Sequence, residues 1–143
     1  MVRARPTQIS QEKGFTLIEV LVVILIIGIL AAIALPAFLG QRQKAQDVEA
    51  KTAVHAAAVA MKSFFTDSQT YVGATPAELQ KIEPSIAQGQ GATLAISGLS
   101  GNTYVVDVTS RTGNHFIVTE GAGLSFRTCT TAARAGCPPG GTW

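Results

Sequence analysis

The sequence predicts an α+β chain. A long N-terminal α-helix comes first; its apolar half spans a membrane and its amphipathic half packs on a four-stranded antiparallel sheet. Three observations carry this. Val20–Gly40 holds no charged residue, and a bilayer core of ~30 Å takes about 20 helical residues. Apolar residues then recur at spacings of three and four as far as Phe65, the helical period. Beyond residue 92, four short β-prone runs alternate with glycine-bearing turns.

The chain has 143 residues, which sets a prior of one domain and is too short for a multi-domain enzyme. Hydrophobic residues make up 47% of it, so disorder over the whole length is excluded. Charged residues make up only 14%, well under the ~25% of ordinary soluble domains. A net charge of +2 is too weak to mark a nucleic-acid polyanion as the main partner.

The first element is the apolar run from Phe15 to Leu39. A buried core helix seldom runs this long without a polar face. A cleaved secretory signal competes with the spanning reading. Ala32-Ile33-Ala34 has the small-x-small form of a signal-peptidase site, and the mature chain would then begin near Leu35. The apolar region of such signals is shorter, however, at ~7–15 residues. Arg3, Arg5 and Lys13 precede the span, and Arg42 and Lys44 follow it. That bias weakly favours a cytoplasmic N-terminus. Glu19 stands inside the run, where an ionisable group is costly and points to a function or a partner. Snorkelling to the interface would suit a lone subunit in lipid. Packed against apolar neighbours, the carboxylate would need a partner.

The string Lys13-Gly14-Phe15-Thr16-Leu17-Ile18-Glu19 closely resembles the processing site of type IV prepilins. The likeness continues through the apolar run to Pro36 and into the helix as far as about Phe65. It implies the pilin fold and a set of roles. Residues 1–14 would be a cleaved leader, residues 15–40 the transmembrane and filament-core half of the helix, and residues 41–143 the globular head. Gly14 would be the last leader residue, cut by prepilin peptidase, a membrane aspartic protease, on the cytoplasmic side. Phe15 would become the N-methylated mature N-terminus. Glu19 would pair with the N-terminal amine of a neighbouring subunit and set the assembly register. Gly28 and Pro36 bracket a stretch where the family's helix kinks or loosens in filaments; proline removes a backbone donor and clashes with the preceding turn. Both residues are also common in ordinary membrane helices.

The amphipathic half shows Ala50, Val54, Ala57, Met61 and Phe64 as a stripe, widened by Ala53, Ala58 and Phe65. Gln46, Asp47, Glu49, Lys51 and Lys62 read as falling largely off it. One helix from Phe15 to about Phe65 would be about 75 Å long. A loop region follows, with a short helix opening at Pro76 behind the N-cap Thr75 and a Gly89–Gly91 pair closing the segment. The strands are expected at Ala92–Ser97, Thr103–Thr109, His115–Glu120 and Leu124–Thr128, as a meander with a Gly113-Asn114 hairpin turn. Contact between helix and sheet should be mostly aliphatic. In an exported chain Cys129 and Cys137 would pair as a disulfide; in a cytoplasmic one they would stay as free thiols. A C-terminal disulfide-bounded loop resembles the variable surface region of many type IV pilins. Trp143 either docks on the head or lies exposed.

Neither His55 nor His115 has metal-pair or triad spacing, and no serine sits in a nucleophile-elbow context. No enzyme activity, metal or cofactor is expected. Of eleven basic and nine acidic residues, three basic and one acidic precede Phe15, leaving eight of each. The charge pattern therefore does not support nucleic-acid binding by one subunit, although a filament repeats any weak site many times. The reading favoured is a type IV pilin, held in the inner membrane and surrounded by lipid before it polymerises with itself into an extracellular filament. Its expected partners are prepilin peptidase, the pilus assembly machinery and minor pilins. The alternative is a pseudopilin of a type II secretion or competence system. Secretion pseudopilins typically carry an acidic calcium-binding loop near the C-terminus, and this chain has no Asp or Glu after Glu120. A bitopic or secreted binding module without a filament role is the reading from a different class. Adhesion, motility and DNA uptake are not distinguished by the sequence.

Overall fold

The computed structural model describes residues 14–86, 92–130 and 135–143. Most of the leader, the Gly89–Gly91 pair and part of the cysteine-bounded loop lie outside the described residues. The chain divides into two units, the second running Phe38–Trp143. Helix α1, Leu17–Ser68, contributes to both.

In the first unit, α1 begins at Leu17 because Thr16 caps it. The Glu19 backbone N–H donates to the Thr16 carbonyl at 3.1 Å and to its Oγ1 at 3.2 Å. Thr16-Leu17-Ile18-Glu19 fits the capping-box pattern, with an acid favoured in the first turn. The large apolar side chains from Leu17 to Leu39 are exposed. Among the described residues, α1 is the one helix long and apolar enough to cross a membrane. Pro36 lies within it, and the helical assignment is unbroken there.

In the second unit, α1 buries the stripe Ala50, Val54, Ala57, Ala58 and Met61. These residues share one core with the inner face of the sheet. The alanines of this stripe are short, so the bulk between helix and sheet comes from the strands. The contact is mostly aliphatic, as expected, with a few rings added to it. The two largest fully buried side chains are Tyr104 and Phe116. Opposite an alanine-rich helix, rings fill the interlayer space that short side chains leave open.

Helix α2, Pro76–Ile82, opens as its residues dictate. Thr75 is extended at the cap and its side chain accepts from the Glu78 N–H at 3.2 Å. Proline occupies the first turn, where a missing N–H costs nothing. Leu79 anchors the helix in the core.

Strands β1 (Thr93–Ser97), β2 (Tyr104–Thr109), β3 (His115–Gly121) and β4 (Leu124–Cys129) form an antiparallel sheet in sequence order. The register places Ile96 opposite Val106 and Val106 opposite Val118, so the inner face is continuous across three strands. Burial alternates strictly along β2, as a half-buried strand requires. β4 is exposed apart from Cys129. The fold is the long helix on a four-stranded meander, pilin-like in architecture.

Candidate functional site

The stretch from Gly14 to Glu19 is local in the chain. Gly14 has open space where a Cβ would stand, and Phe15 beside it is 79% exposed. Glu19 sits in the first turn of α1 and is exposed, with no ion pair to it among the described residues. Gly28 also faces open space. So Gly14, Phe15 and Glu19 lie in one exposed stretch at the start of α1, and Gly28 and Pro36 lie further along the apolar helix.

A second site was not legible in advance. Asp47 is on α1 and fully buried, not off the apolar stripe as its polarity suggests. Its Oδ1 accepts from Ser110 Oγ at 2.6 Å and from Thr112 Oγ1. Its Oδ2 accepts from Asn114 Nδ2 at 2.7 Å and from the Gly136 backbone N–H at 2.7 Å. One carboxylate thus ties the helix to the β2–β3 turn and to the cysteine-bounded loop. Burial raises its pKa, but the bonds from Ser110, Thr112, Gly136 and Asn114 outweigh that and hold it below the usual 3.8. The signal that could have found it is phase. Asp47 lies three residues before Ala50 and seven before Val54, in step with the stripe.

The turn is built for this. Gly113 adopts φ 84°, and its N–H donates to the Ser110 carbonyl at 2.9 Å, while the Ser110 N–H donates to the Asn114 carbonyl at 2.7 Å. Three side chains therefore converge on one point. Gly136 is required by close approach: a Cβ there would stand 2.6 Å from the Asp47 Cβ.

Cys129 and Cys137 are joined by a disulfide, with Cα atoms 5.9 Å apart. The tail returns along β4. The Cys129 N–H donates to the Gly141 carbonyl at 2.7 Å, and Trp143 Nε1–H donates to the Thr128 carbonyl at 2.9 Å. Trp143 docks edge-on against Phe116 at 5.8 Å, with Lys51 and Arg127 near its ring. His55 is exposed on α1, 3.5 Å from Arg127. His115 Nδ1 lies 3.0 Å from Asp107 Oδ2 on the outer sheet face. No cluster of three or more metal-ligating side chains occurs among the described residues.

Comparison with known proteins shows what the chain resembles. The prokaryotic N-terminal methylation motif matches residues 9–35, which include Gly14, Phe15 and Glu19. Over the matched segments the chain is similar to type IV pilins, fimbrial proteins and type II secretion core proteins. It is 48% identical over 61 residues to a type IV major pilin protein of Myxococcus xanthus, covering 43% of this chain and 28% of that protein. It is 37% identical over 102 residues to a fimbrial protein of Eikenella corrodens, covering 71% of this chain and 59% of that protein. It is 34% identical over 84 residues to a type II secretion system core protein G of Pseudomonas aeruginosa, covering 59% and 56%. These matches thus span from 28% to 59% of each relative's length. Both pilins and type II secretion core proteins are represented among these relatives.

Proposed function

We propose that this chain is a structural subunit of a type IV pilus, polymerising through α1 into a surface filament. The observation that carries the reading is the sequence Gly14-Phe15 with Glu19 four residues on, abutting an uncharged run and lying inside the methylation motif. In this reading prepilin peptidase cuts after Gly14 on the cytoplasmic side and Phe15 becomes the methylated N-terminus. The open surroundings of Gly14 and Phe15 support access by a protease and a methyltransferase. Glu19 then meets the N-terminal amine of the next subunit. In a packed apolar core an unmatched carboxylate is heavily penalised, so subunits enter only at the stagger that pairs the charges. Gly28 and Pro36 supply the place where the helix gives. The inner membrane holds the subunit before assembly. Assembly machinery and minor pilins are its partners there.

A pseudopilin of a secretion or competence system is the second reading, favoured by the likeness to type II secretion core proteins. The sequence after Glu120 holds no Asp or Glu, which supports the pilus. The deciding experiment is mass spectrometry of the mature N-terminus in membrane and sheared-surface fractions. Methylated Phe15 in the sheared fraction is the expected result. A mature chain starting at Met1 or near Leu35 would overturn the proposal, and methylated Phe15 confined to the membrane fraction would favour the pseudopilin.

A further inference from the structure

Glu120 points inward from β3, opposite Tyr104 on β2 and Ser125 on β4. Its Oε2 is buried and has no hydrogen-bond partner among the described residues. Buried polar atoms are almost always bonded, and a charged acceptor left alone is costly. Glu120 also lines a cleft of about 320 Å³ shared with Phe65, Tyr71, Asn102, Ala122 and Gly123. That space far exceeds the ~30 Å³ share of a single water molecule.

The walls of the cleft specify a chemistry. The Phe65 and Tyr71 rings lie 4.7 Å apart and form an aromatic side. No Lys, Arg or His is among the described residues that line it. The negative charge is felt nearby. Burial first, and then the charge of Glu120, push the Tyr71 and Tyr104 phenols above their ordinary value of 10. A carboxylate oxygen without a partner beside electron-rich rings suits a cation, through charge-assisted hydrogen bonding and cation–π attraction. Of the two carboxylate oxygens, Oε2 is the one that is buried without a partner among the described residues. A compact ammonium fits one acceptor, whereas a planar guanidinium favours both oxygens together.

We infer that this cleft binds an alkylammonium group, with Glu120 as its counter-ion and Phe65 and Tyr71 as its aromatic walls. The group comes from a lysine side chain of another protein or from a free amine. The inference is independent of the filament reading, and neither outcome of its test bears on that reading.

The test uses the full chain in detergent micelles, isotope-labelled at Phe and Tyr and titrated by NMR at neutral pH with n-butylammonium chloride. Saturable shifts at Phe65 and Tyr71 are expected, with none at Phe126 on the outer sheet face. The neutral isostere n-butanol should not reproduce them. Glu120→Gln should weaken binding at least about tenfold. Phe65→Leu, which keeps the carboxylate, should weaken it about threefold or more through loss of one aromatic wall, and it carries the test if Glu120→Gln does not fold. Tighter binding of N-acetyl-lysine methylamide than of putrescine assigns the occupant to a protein lysine; the reverse order assigns it to a free amine. Absence of a saturable shift, equal response to butanol, or unchanged affinity in a folded Glu120→Gln variant would overturn the inference.

Discussion

Asp47 has more at stake than any other single polar residue in the second unit. Its four donors come from positions 63 to 89 residues away in the chain. Removing the carboxylate takes one shared acceptor away from Ser110, Thr112, Asn114 and the Gly136 N–H. Asp47→Ala should therefore cost about 3–5 kcal/mol of stability, read from urea unfolding of the full chain in detergent. The acid limb of stability follows from the same site. The folded pKa lies below the unfolded value of 3.8, so the contribution is complete above that value and is lost as pH falls through the folded pKa. Wild-type stability should decline below about pH 4, and Asp47→Asn, which does not titrate, should lose most of that decline. Gly136→Ala attacks the same point from the other side. A Cβ at 2.6 Å must displace the Asp47 stem or the loop, and a cost of about 1–3 kcal/mol in the same assay is expected. The two substitutions share one contact, so their combined effect should fall short of the sum.

At the scale of elements, the end of β4 is held twice, by the Cys129–Cys137 disulfide and by the tail that pairs at Gly141 and Trp143. Closing so short a loop contributes about 2–3 kcal/mol in the chain-entropy account. Replacing both cysteines by serine should lower unfolding stability by about that amount. Adding reductant to the wild type should do the same and leave the double variant unchanged. These elements differ in how far the sequence disclosed them. The α1 stripe was legible because one face of a helix repeats every 3.6 residues, and Ala50, Val54, Ala57 and Met61 keep that step. α2 was legible from Thr75 and Pro76, whose chemistry acts over three residues. The meander was legible because glycines punctuate it. Asp47 was not, because its partners are non-local and its polarity argues for solvent. The docking of Trp143 was not, because a lone aromatic in a Pro- and Gly-rich tail carries no period. The inward turn of Glu120 is legible only once the register fixes which side of β3 faces the helix.

For the whole molecule, the decisive residue is one whose energetic cost depends on its surroundings. Glu19 is exposed on the isolated chain, and near a membrane interface its carboxylate can stay hydrated. Its backbone N–H already serves the Thr16 cap. Both facts make Glu19 cheap in the subunit, and capping alone would account for an acid at this position. The filament proposal asks more of it: in a packed apolar core the charge must be matched or neutralised. The two roles separate cleanly by substitution. Glu19→Ala removes the charge, leaves the Thr16 side chain to cap the helix, and should not hinder membrane insertion, since it only makes the run more apolar. If the residue merely favours the helix start, filament yield should hold, because the first-turn charge contributes only about 0.3–1 kcal/mol. If it pairs with the neighbouring N-terminal amine, sheared-surface yield should fall at least about tenfold while membrane-fraction protein stays constant, since an unmatched buried charge costs several kcal/mol. Glu19→Gln sharpens the distinction. It keeps size and hydrogen bonding but not charge, and it should fail in assembly as Glu19→Ala does, whereas a packing role would tolerate it.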